Sequence, residues 1–66
     1  MKEGDRVIII KSKNYKGRTG TITDEPTILE KWNEQKQKFE DVKIYRVRLD
    51  NFNGHCLFFK ESEIKK

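Results

Sequence analysis

The apolar residues of this chain gather in three short runs, at 7–10, 42–49 and 56–59, each rich in β-branched or aromatic side chains. No uninterrupted apolar stretch exceeds four residues. Runs this short, made of residues that suit a pleated surface, read as strands. They are also far too short for a membrane-spanning helix, which needs about 20 apolar residues. At 66 residues the chain can build one lean core, because a domain of this size buries only about 60% of the surface its unfolded form exposes. Cys56 is the only cysteine, so no internal disulfide supplements that core. The composition is 39% charged and 33% hydrophobic, near the balance of disordered chains. The clustering of the apolar residues nevertheless predicts a folded all-β domain over 1–66. The opening residues Lys2, Glu3, Gly4 and Asp5 lack the apolar stretch of a secretory signal, and the expectation is a soluble, cytoplasmic monomer.

Residues 5–11 read as a first strand, with Val7 and Ile9 on one face and Ile8 and Ile10 on the other. Apolar residues on both faces predict a strand buried on two sides or covered by a loop. Residues 12–18 are polar and glycine-bearing, hence a loop, and 20–24 form a second strand around Ile22. Pro26 ends that strand because it has no amide hydrogen for a ladder. The segment 25–41 fits two readings. Its Glu, Lys and Gln residues, with Ile28 and Trp32 four apart and Leu29 and Trp32 three apart, suit a short amphipathic helix. An extended hairpin arm suits it equally. In 42–49, Tyr45, Val47 and Leu49 alternate with Ile44, Arg46 and Arg48, giving one buried and one solvated face. Asn53-Gly54 supplies the positive φ angles of a tight turn, 55–60 returns as the partner strand, and Ile64 begins a last one. The sum is a small five-stranded antiparallel barrel with an inserted loop or short helix at about 25–41.

A family pattern runs through these elements. Gly4-Asp5-Arg6-Val7-Ile8-Ile9, a basic loop, and then Lys16-Gly17-Arg18-Thr19-Gly20-Thr21-Ile22 resembles the KOW motif of ribosomal and transcription-elongation proteins. That resemblance implies a strand–loop–strand shape and, as in many members, RNA binding. Its glycines fit a tight reversal where a Cβ would clash. Arg46-Val47-Arg48-Leu49-Asp50, a turn at Gly54, Phe58-Phe59 and Glu61-Ser62-Glu63-Ile64 are similar to the closing hairpin, short helical turn and final strand of SH3-like barrels. The whole also resembles prophage proteins of the YorP type, which implies the same barrel. Only 25–41 lies outside the pattern.

The net charge is +4, and its location is informative. Lys11, Lys13, Lys16 and Arg18 fall within eight residues that hold no acid, while the other 58 residues carry eleven bases and eleven acids. Localised charge of this kind concentrates anionic partners. With Tyr15 as a stacking platform, the loop has the makings of a site for RNA or single-stranded DNA. The plainer reading is a solvated loop with Tyr15 packed on the barrel. Arg46 and Arg48 would extend the positive surface, or else form ordinary ion pairs with Asp41 or Asp50. Trp32 and Phe39 either cap an open end of the barrel or dock a larger protein. His55 and Cys56 are adjacent in a strand and point apart, and no further His or Cys completes a zinc site. Catalytic residues, metal and cofactor are accordingly expected to be none, and the expected class is a binding module.

Overall fold

Alternation along one long strand organises the molecule. A computed structural model describes all 66 residues, with six strands and no α-helix. The strands are β1 (Arg6–Ile9), β2 (Thr19–Ile22), β3 (Thr27–Asn33), β4 (Lys38–Leu49), β5 (Cys56–Lys60) and β6 (Ile64–Lys65). A single 3-10 turn, Glu61–Glu63, joins β5 to β6. All pairings are antiparallel, and the spatial order around the curled sheet is β6–β1–β2–β4–β5. These five strands, with the C-terminal half of β4 as one of them, make the half-barrel of a small SH3-like fold. No helix is long and apolar enough to cross a membrane.

Tyr45, Val47 and Leu49 of β4 point inward, where Val7 and Ile9, Ile22, Phe59 and Ile64 meet them in one eight-residue core. The expectation of two buried faces for β1 does not hold. Ile8 and Ile10 are exposed, because a single curled sheet has one interior and no second layer covers its outside. The 3-10 turn closes the barrel by polar links: the Glu63 carbonyl accepts the amides of Ile10 and Lys11 at 2.8 and 3.2 Å. The Tyr45 hydroxyl reaches out of the core to donate to Glu61 at 3.1 Å. Burial first, and then that carboxylate, raises the Tyr45 phenol above its ordinary pKa.

Segment 25–41 is the hairpin arm and not a helix. β3 pairs along its whole length with the N-terminal half of β4, from Thr27 opposite Ile44 to Asn33 opposite Lys38. β2 and β3 lie end to end on the same edge of β4, and Thr23–Pro26 stand opposite only Tyr45 and Arg46. Pro26 sits in that bulge, where no ladder hydrogen is needed. At the tip Asn33 accepts the Lys36 amide at 3.1 Å, and Gln37 takes a positive φ of 56°. The arm carries the molecule to 41 Å in its longest dimension.

Glycine is required at Gly20 by proximity. A Cβ there would stand 2.6 Å from the Arg48 carbonyl oxygen and 2.7 Å from Val47 Cγ1, so β2 and β4 approach where only hydrogen fits. Gly20 thus lies within a strand, and the reversal before it belongs to Gly17, at φ 89°. On the far side of β4, Asn53 and Gly54 adopt φ 53° and 73° while the His55 amide donates to the Phe52 carbonyl at 3.0 Å, the left-handed turn that the sequence predicts.

Asp50, just past β4, fastens three strands. Both of its oxygens accept from the Arg6 guanidinium of β1, and the Thr19 hydroxyl of β2 donates to it at 2.7 Å. Arg6, and then Thr19, hold the Asp50 carboxyl far below the ordinary carboxylate range.

Two outcomes follow from this architecture. Gly20→Ala should lower unfolding stability in urea by about 1–3 kcal/mol, as overpacking does, and an unchanged midpoint would mean that β2 and β4 can part at no cost. For Asp50, a folded-state pKa below the unfolded value of about 3.9 stabilises the native state above that pH and ceases to do so as acid is added. The Tm gap between wild type and Asp50→Asn should therefore be full at neutral pH and close progressively below about pH 4. A gap independent of pH would show that the carboxylate's charge plays no part.

Candidate nucleic-acid interface

The β1–β2 loop and the β4–β5 connection meet at one end of the barrel, because β1 and β4 end there and β2 and β5 begin there. Phe52 joins them. The half-buried Tyr15 ring packs edge-on against Phe52 and Phe59, with centroids 5.8 and 6.2 Å apart. His55 also meets Phe52 edge-on, at 5.8 Å. The Arg18 guanidinium lies 4.8 Å from the Phe52 centroid, a cation–π distance, and donates to the carbonyls of Asp50 and Asn51, both at 3.4 Å. Tyr15 and Arg18 thus hold two loops together.

Lys11, Lys13 and Lys16 differ from them. All three are exposed, and none has an acidic partner within ion-pair distance. Arg46 and Arg48 project from the outer face of β4, as their alternation predicts. Their acids are not the expected ones. Arg46 pairs with Asp24 at 3.2 Å, Arg48 has no acidic partner, and Asp50 is taken by Arg6. Arg18 also lacks an acid but is spent on Phe52 and two carbonyls, so Lys11, Lys13, Lys16 and Arg48 are the cations of the sequence-derived set left wholly free.

The outer face adds a feature that counting charges along the chain conceals. The barrel strands carry Arg6, Arg46, Arg48, Lys60 and Lys65, all exposed, and not one acid. Phe58 stands among them, 67% exposed, directly opposite Arg46. Sequence reasoning passed over Phe58. The signal was available in the pair Phe58-Phe59, since neighbours on a strand face opposite ways and only one of them can enter the core.

Trp32 and Phe39 do not cap the barrel. They face each other across the arm, with ring centroids 5.1 Å apart at 69°, and remain 46% and 63% exposed. A two-stranded hairpin is marginal alone, and an edge-to-face aromatic pair contributes about 0.5–1.5 kcal/mol to holding one together.

Both surface depressions adjoin the arm: one lies beside Trp32 and Glu40, the other between Ile28 and Lys60. The loop end and the outer face are open surface, suited to a ligand that lies across them. No three His, Cys, Asp or Glu side chains converge as a metal cage would require. The chain matches no family model, and no curated protein or solved structure matches it.

Proposed function

We propose that the protein is a binding module, not an enzyme, which takes RNA or single-stranded DNA on the loop end and outer face of its barrel. One observation carries this reading: Lys11, Lys13, Lys16 and Arg48 lack acidic partners, beside barrel strands whose only charged residues, in β4 from Ile44 onward, are cations. A phosphate backbone supplies the missing partners and releases its counterions in exchange. The KOW-like residues 4–22 support the same reading by resemblance. Arg18 and Tyr15 serve it indirectly, by fixing the loop that presents the lysines.

The second reading is a protein-docking arm. It is favoured by the exposed Trp32 and Phe39 and by the outer edge of β3, which pairs with no strand.

Titration of a labelled single-stranded oligonucleotide at several salt concentrations tests the first reading. If four phosphates are neutralised, log affinity should fall against log salt with a slope of about −3 to −4. Serine at positions 11, 13, 16 and 48 together should flatten that slope and weaken binding. Absence of binding at low salt, or full affinity in the fourfold variant, would remove the reading. Replacing Lys31–Glu40 by an Asn-Gly turn separates the two. A barrel that binds nucleic acid keeps its affinity without the arm tip, whereas affinity lost with the arm would move the site there.

A further inference from the structure

We propose that Phe58 is a base-stacking platform that makes the outer face selective for single-stranded over duplex nucleic acid; this rests on the nucleic-acid reading above. The case begins with what the fold leaves unexplained. Trp32 and Phe39 are exposed but face each other, and Tyr15 and Phe52 are spent on joining two loops. Phe58 is the most exposed large apolar residue of the chain and stacks on no other aromatic ring. Covering an exposed phenylalanine ring is favourable, and nothing within the fold covers this one.

Its surroundings specify what would cover it. β5 pairs only with β4, so Phe58 stands on an edge strand with open access. Arg46 lies directly opposite. Arg48, opposite Cys56, and Lys60, opposite Ile44, lie one step to either side along the ladder. Directly opposed residues in such a ladder have Cβ atoms about 5 Å apart and diagonal ones about 7–8 Å. That spacing lets long cationic side chains reach the phosphates flanking a base seated on the ring. Arg46 is held by Asp24, whereas Arg48 and Lys60 have no acidic partner. An aromatic plane between free cations, on barrel strands that carry no acid and with the bordering Asp24 and Asp50 already paired to Arg46 and Arg6, complements a polyanion that carries exposed bases. A duplex offers its phosphates but keeps its bases stacked inside, so it would engage the cations alone. A protein partner with an apolar patch would be repelled by the uncompensated charge unless it were strongly acidic.

The test uses the full chain and fluorescence anisotropy with a short single strand, the duplex of the same length, and an abasic oligomer. Phe58→Ala should weaken single-strand binding roughly five- to 150-fold, the range for loss of one base–aromatic stack. It should leave duplex and abasic binding unchanged and keep the salt slope. Phe58→Trp in a Trp32→Phe background should retain affinity and show quenched indole fluorescence when the single strand is added. Because the ring is exposed, neither change threatens the core, and circular dichroism checks that the fold persists. If Phe58→Ala binds the single strand as wild type does while the fourfold serine variant does not, the stacking proposal falls and the nucleic-acid reading stands. Wild type preferring duplex, or binding the abasic oligomer as tightly as the natural one, likewise overturns stacking alone. If no oligomer binds at low salt, both fall together.

Discussion

The period of two along β4 is the constraint on which the remaining structure depends. β4 hydrogen-bonds to β2, β3 and β5, so its alternation fixes the facing of most of the sheet. Tyr45, Val47 and Leu49 must all be inward together, and a slip of one residue would exchange them for Arg46 and Arg48. Gly20 enforces the register from the β2 side, since only there does the backbone of β4 come close enough to exclude a Cβ. Asp50 enforces it from the strand's end by gripping Arg6 and Thr19. The same alternation that builds the core thus delivers two arginines to the outer surface, and, through the ladder with β5, sets Phe58 between them and Lys60.

Much of this was legible in the residues. The alternation in 42–49, the left-handed Asn53-Gly54 turn and the loop between two strands at 12–18 gave the barrel and its basic end. Segment 25–41 was not legible, for a definite reason. A spacing of four, as between Ile28 and Trp32, satisfies a helical period and also keeps two residues on one face of a strand. What decides for the strand is non-local: β4 is anchored in the barrel, and its N-terminal half offers β3 a ready edge. The isoleucines of β1 misled in the opposite sense. Four consecutive apolar residues suggest burial on both faces, but a half-barrel with one interior leaves Ile8 and Ile10 outside.

Aromatic residues show the same limit. Along the sequence Tyr15 lies among lysines and fits both a stacking platform and a ring packed on the barrel, while Phe58, beside another phenylalanine, draws no reading of its own. The fold packs Tyr15 on the barrel and leaves Phe58 outside. Phe52, brought from 37 positions away, gives Tyr15 an apolar partner and withdraws its ring into packing. Strand parity turns Phe58 away from the interior that Phe59 enters. No local pattern could choose between the two readings of Tyr15, whereas strand parity predicts the exposure of Phe58.

Folding also redistributes a charge that the sequence presents as one basic loop. The arm, residues 27–43, holds four bases and four acids and is neutral, so the whole excess remains with the barrel. Within the barrel Glu3, Asp5, Asp24 and Glu25 lie where β1 begins and β2 ends, offset by Lys2, Lys66 and Arg46, while Lys11, Lys13, Lys16 and Arg18 lie where β1 ends and β2 begins. Those two groups are separated by the length of the strands, about 3.3 Å per residue. That exceeds the screening length of about 8 Å at physiological ionic strength. The acids of the far end therefore do little to cancel the basic loop. A polyanion approaching the barrel meets a directional potential: attraction at the loop end, continued across the outer face by Arg48 and Lys60, and no comparable excess at the far end, where Asp5 pairs with Lys66 and Asp24 with Arg46. Net charge alone would describe a weakly basic protein. The position of each charge describes one with a preferred face, and it is the face where the exposed aromatic stands.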